Sequence, residues 1–239
     1  MKECIYLGHV VGSGRVRPNP EKLKAVEEYP VPITKRQVRG FLGLTGYYRK
    51  FIEGYARLAA PLTDLIKKQK PDKIIWTPQC EEAFKTLKET LCQSPILMNP
   101  NFEKTFILQT DASDRGVGAV LTQKDDEERE RPIAYFSRKL LSREERYSTV
   151  EKECLAIKLG IEAFKVYLLG RHFIVQTDHR ALVWLDKLKE KNSRLTRWSL
   201  NLQQYSFTVE HRAGTSNAPF LVLLLDQQTS LLREKEGGM

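Results

Sequence analysis

The chain has 239 residues, 41% of them hydrophobic and 29% charged, with a formal net charge of +9. That is an ordinary globular composition, long enough for one large domain or two small ones. No run approaches the roughly 18 apolar residues of a membrane span; the greasiest stretch is FLVLLL at 220–225, and MKECIYLGHV lacks the basic-then-apolar shape of a signal peptide.

The charge is uneven. Residues 1–100 carry 17 Lys and Arg against 10 Asp and Glu, or +7, which leaves +2 for the remainder. A basic front half suits a polyanionic partner such as nucleic acid; a merely solvated surface is the alternative. The cysteines, Cys4, Cys80, Cys92 and Cys154, are scattered without a Cys-x-x-Cys pair. This argues against a zinc knuckle or a disulfide framework and fits a reducing compartment inside the cell, cytoplasmic or nuclear.

In chain order, residues 1–33 read as strand, Gly-rich turn and second strand (CIYLGHVV, GSGRVRPNP), a hairpin that needs partners to be stable. A short helix in PEKLKAVEEYPVP stops at Pro30 and Pro32. Residues 34–94 read as three helices. Thr34 caps the first, through KRQVRGFLGLTGYYRKFI; the second, YARLAAPLTDLIKK, is broken or kinked by Pro61; the third starts at Thr77 with Pro78 at its first position. From about residue 101 the period changes to that of strands: KTFILQTD, GVGAVLTQ and RPIAYFSR suggest an antiparallel meander. A long helix follows, for which Ser142 and Glu145 form a capping-box pattern and which Gly170 ends. Then come the strand HFIVQTD, a short helix in HRALVWLDKL (179–188), a helix SRLTRWSLNLQQ and a final strand SFTVEHR. Strands first and alternation afterwards predict an α/β (overall α+β) fold, a mixed sheet with helices on its faces.

Two of the strands end in Thr-Asp. If they are neighbours, Asp111 and Asp178 emerge at one edge, and the long helix can bring Glu153 to the same point. Three carboxylates meeting without a compensating base repel one another; such clusters usually hold divalent cations. Oxygen ligands favour Mg²⁺ or Mn²⁺ over zinc, and two such ions about 3.5–4 Å apart clamp the attacking water and leaving oxygen of a phosphodiester. Taken singly, each residue has an ordinary alternative: a turn former or helix cap for the aspartates, a solvated helix residue for Glu153.

The stretch TDASDRGVGAVLTQ, RPIAYFSRKL, EERYSTVEKECLAIKLGIEAFKVYLLGRHFIVQTDHRAL resembles the ribonuclease H domain of gypsy-type LTR-retrotransposon polyproteins. YLGHVVGSGRVRPNPEKLKAVEEYPVP resembles the end of the reverse-transcriptase palm with its primer-grip hairpin, and VRGFLGLTGYYRKFIEGYARLAAPL and WTPQCEEAFKTLKETL resemble the thumb and the linker. The resemblance implies a palm remnant over 1–33, a thumb and linker module over 34–100, a five-stranded ribonuclease H-like domain over 101–228 and a polar tail over 229–239. It also implies cleavage of the RNA strand of RNA/DNA hybrids, with Asp111, Glu153 and Asp178 as catalytic metal ligands, and His211 beside the scissile phosphate. Glu151 points elsewhere on the helix. The polymerase Tyr-x-Asp-Asp motif does not occur and is expected upstream, in a larger polyprotein. Near the end, Gly214 and Asn217 match the family's Gly-x-x-Asn-x-x-Ala-Asp, but Leu221 stands where the fourth acidic ligand belongs. Asp226 is five residues late, about 140° further round a helix. A catalytically weak or dead hybrid-binding remnant is therefore the alternative; a pure protein-interaction module is disfavoured by the carboxylates and the basic front half.

Overall fold

The computed structural model describes residues 3–68, 70–93, 95–178 and 193–212. The short helix expected at 179–188, Gly214, Asn217, Leu221, Asp226 and the polar tail lie outside the described residues.

The first hundred residues combine a small sheet with five helices. Strands β1 (Cys4–Tyr6), β2 (His9–Gly12) and β3 (Arg15–Pro18) form an antiparallel meander. The hairpin's partner is one the sequence did not announce: β4 (Leu97–Met98) pairs with β3 through Arg15–Met98 and Val16–Leu97. Helix α1 (Pro20–Glu27) is capped by Asn19, whose Oδ1 accepts the Glu21 N–H. Helix α2 (Lys35–Tyr47) starts at Thr34 in a full capping box with Gln37 and passes into a 3-10 turn at Arg49–Phe51. The break expected at Pro61 falls at Ala59, giving two short helices, α3 (Tyr55–Leu58) and α4 (Ala60–Leu65). Helix α5 (Pro78–Cys92) begins as predicted, with Thr77 as its cap. Their inward faces, among them Val38, Phe41, Leu62, Phe84, Leu87 and Leu91, make one core. Burying each of these large side chains contributes about 1.5–3 kcal/mol.

The second sheet has the order β7-β6-β5-β8-β9, with β5 (Phe106–Ala112), β6 (Gly116–Lys124), β7 (Glu130–Lys139), β8 (His172–Thr177) and β9 (Ser206–His211). Its first three strands are antiparallel; β5–β8 and β8–β9 are parallel, so the sheet is mixed. Helix α6 (Thr149–Ala163) lies on one face, burying Ile157 and Ile161 against Phe106, Leu108, Phe173 and Val175. Gly160 permits the approach: a Cβ there would stand 3.0 Å from the Cβ of Ala119 and 3.4 Å from Leu108 Cδ1. The opposite face meets the helical module, since Val120 and Tyr135 belong to its core.

The start of α6 corrects the sequence reading. Its capping box is Ser148 with Glu151, not Ser142 with Glu145. Residues 142–146 are turns because Glu144 folds back: its carboxylate accepts the Leu141 N–H and Arg138 Nη2, both at 2.8 Å. The helix also ends earlier, at Ala163, with one further turn, α7 (Lys165–Leu168), before Gly170. Helix α8 (Ser193–Leu202) precedes β9.

Candidate active site

The parallel register of β5 and β8 creates the site. Thr110 pairs with Thr177, so Asp111 and Asp178, each the next residue, stand side by side at one sheet edge. Glu153 sits one turn into α6, on the side that faces that edge. Ligand oxygens of Asp111, Glu153 and Asp178 all lie within 4.8 Å of one another. Glu153 is buried, 4% exposed, while the two aspartates open outward.

The electrostatics follow from that packing. Burial, then the charges of Asp178 and Asp111, push the Glu153 carboxyl up to about 8. Partial burial and Asp178 also raise Asp111, opposed by the Ala112 N–H and by Arg57. One oxygen of Glu153, Oε2, is buried with no hydrogen-bond partner among the described residues. An orphan carboxylate oxygen is costly unless something satisfies it. Oxygen-only donors, mutual repulsion and an unsatisfied oxygen together fit a hard divalent cation.

His211 ends β9 and is exposed; its Nε2 lies 3.1 Å from the Asp178 carbonyl oxygen, at the rim of the cluster. Glu151 is turned away, as expected, holding the Ser148 cap and pairing with Arg194. The loop after Asp111 is held by Ser113, whose Oγ accepts the Gly116 N–H at 3.1 Å, and by Lys152, whose Nζ donates to Asp114 at 2.8 Å.

The sequence missed the opposite wall. A cleft of about 770 Å³ opens beside Asp111 between β5–β7 and the segment carrying α3 and α4. Glu53 and Arg57 line it, so the acidic cluster has a basic neighbour after all. Nothing in YARLAAPL signals this: Arg57 is an ordinary exposed helix position until the chain folds back on the sheet.

Residues 101–205 match the family described as the RNase H-like domain found in reverse transcriptase. Over 219 residues the chain is 45% identical to the Retrovirus-related Pol polyprotein from transposon 297 of Drosophila melanogaster, covering 91% of this chain and 20% of that protein. It is 34% identical over 237 residues to the Transposon Tf2-3 polyprotein of Schizosaccharomyces pombe, covering 97% of this chain and 18% of that protein. The chain thus spans about a fifth of the length of the curated relatives it matches. Among solved structures, the foamy viral protease-reverse transcriptase in complex with an RNA/DNA hybrid superposes with a TM-score of 0.76 over 92% of this chain and 30% of that one, at 18% identity. The same enzyme in complex with dsDNA gives 0.75 over 92% of this chain and 46% of that one, at 19% identity. At such identities the likeness speaks for the fold. No helix among the described residues is long and apolar enough to cross a membrane. The chain is a segment of the Pol polyprotein family of gypsy-type LTR retrotransposons, and residues 101–205 are its RNase H-like domain of the reverse-transcriptase kind.

Proposed function

We propose that this chain is an endonuclease that cleaves the RNA strand of RNA/DNA hybrids. The observation that carries the reading is the convergence of Asp111, Glu153 and Asp178 within 4.8 Å, with a buried Glu153 oxygen unpartnered among the described residues. These residues would hold Mg²⁺ or Mn²⁺, which when bound supplies charge for the developing oxyanion and acidifies a coordinated water. Asp111, which lines the cleft, and the exposed Asp178 orient the reacting phosphodiester; Glu153 anchors the cluster from α6. His211, at the rim, would help product release or proton traffic. The 2′-hydroxyls of the RNA strand, met along the minor groove, distinguish a hybrid from DNA.

The division of labour in this reading is a palm end with a primer-grip-like hairpin over 1–33, a thumb and linker over 34–100 that grips the duplex, and the nuclease over 101–228. A polymerase region belongs to the larger polyprotein. Leu221 favours a second reading, a hybrid binder that cuts weakly or not at all. The test is cleavage of a labelled hybrid in Mg²⁺ and in Mn²⁺, beside binding in EDTA. Asp111→Asn should abolish cleavage and keep the fold; cleavage at the parent rate would sink the assignment. A parent that binds and does not cut, while Leu221→Asp cuts, would select the second reading.

A further inference from the structure

We propose that Arg57, carried by α3 outside the RNase H-like domain, is a phosphate-binding residue of the same cleft, taking a backbone phosphate of the nucleic-acid strand that lies against Asp111. The inference rests on the nucleic-acid reading above and extends its site to a wall contributed by the preceding segment.

Position is the first argument. Arg57 and Asp111 line one cleft, with Ser113, Arg115 and Gly116 on the sheet side. Across it the charges are close enough to act on one another: Arg57 opposes the upward shift of both Asp111 and Glu53, and Asp111 adds to that of Glu53. Rigidity is the second. The Ala56 N–H donates to Ser137 Oγ of β7 at 2.8 Å, and Asp64 at the end of α4 pairs with Lys139 of β7 at 2.9 Å. Gly54, at φ +61°, makes the turn that starts α3, and the Arg57 N–H closes it on the Gly54 carbonyl at 2.8 Å. Ala59 and Leu62 then anchor the segment in the core. The helix is thereby stapled to the nuclease sheet on both sides of Arg57.

Chemistry is the third argument. Most other cations lining this cleft are committed, Arg138 to Glu144, Lys139 to Asp64 and Arg212 to Glu130; Arg115, on the sheet side, makes no ion pair among the described residues. Arg57 is exposed, and its guanidinium makes no ion pair within 4.0 Å among the described residues, not even with Glu53 one turn earlier. A guanidinium fork matches a phosphate in two hydrogen bonds. A polyanion entering beside three carboxylates meets repulsion, which a cation on the facing wall offsets.

The experiment uses the full chain and a fluorescein-labelled RNA/DNA hybrid, with binding titrated against salt in EDTA so that cleavage plays no part. Arg57→Ala should weaken binding about five- to tenfold at low salt and reduce the slope of log K against log salt by about one. Arg57→Lys should recover the slope and only part of the affinity, because lysine lacks the fork. Arg57→Gln retains most of the stem and should behave like alanine, with thermal unfolding at the parent temperature; it carries the test should the alanine variant fail to fold. A salt slope unchanged in Arg57→Gln overturns the proposal, as does lost affinity with unchanged slope, which marks a structural role. The two readings separate cleanly: a parent that binds but never cuts defeats cleavage and leaves Arg57 standing, while a parent that cuts alongside an Arg57→Gln protein of unchanged slope defeats only the clamp.

Discussion

Replacing Glu153 by glutamine should stabilise the metal-free protein. The carboxyl is buried between two aspartates and sits at about 8, against 4.5 for the free side chain. Because its folded value is raised, the folded chain binds the extra proton: the stability that proton brings is fully present below about 4.5 and is lost as pH rises through about 8. At pH 7 the folded chain keeps that proton at a cost of roughly 3 kcal/mol, taking 1.36 kcal/mol per tenfold over the interval between 4.5 and 7. Asp111 and Asp178 are exposed, so water and side-chain relaxation reduce this to about 1–2 kcal/mol. Glutamine keeps the shape, carries no charge, and its amide can donate to either aspartate. For a chain of this size the change should raise the unfolding temperature by about 2–8 °C at pH 7 in EDTA. It should also flatten the rise in stability that the parent shows as pH falls from 8 to 5. Added Mg²⁺ or Mn²⁺ should raise the unfolding temperature of the parent more than that of the variant, since binding to the folded state is what stabilises it. A Glu153→Gln protein no more stable than the parent at pH 7–8 in EDTA, or one with the parent's pH slope, would refute the reasoning.

The contact between α6 and the sheet should be equally sensitive. Gly160→Val places a branched side chain where even a Cβ lies 3.0 Å from Ala119, and should cost about 2–3 kcal/mol in denaturant unfolding. Gly160→Ala gains about 1 kcal/mol of helix propensity against that crowding, and should stay within about 1 kcal/mol of the parent. The position of the helix cap can be read directly: Ser148→Ala should destabilise by about 1 kcal/mol and Ser142→Ala by under 0.5 kcal/mol, roughly the size of an ordinary surface change. Equal effects at the two serines would contradict the Ser148–Glu151 box.

Much of the site was legible in the residues because burial leaves a local period. FILQT and FIVQT read as strands, and each ended in an aspartate of the carboxylate cluster; the apolar face of α6 placed Glu153 on a helix, and Thr34, Thr77 and Pro61 marked helix ends by chemistry confined to a few neighbouring residues. What the pattern could not decide was how these pieces meet. Ser142–Glu145 and Ser148–Glu151 are equally good boxes in one dimension; Glu144 settles the choice by closing a turn with Arg138. Two residues at 97–98 carry too little pattern to call a strand, and become one only because β3 offers them an edge. The parallel pairing of Thr110 with Thr177 joins positions 67 residues apart, and that register, not either strand alone, turns two aspartates into one site. Arg57 belongs to the cleft for the same reason: periodicity records which face of an element is buried, while the partner across a gap is chosen by packing between segments distant in the chain, and that choice exists only in the folded protein.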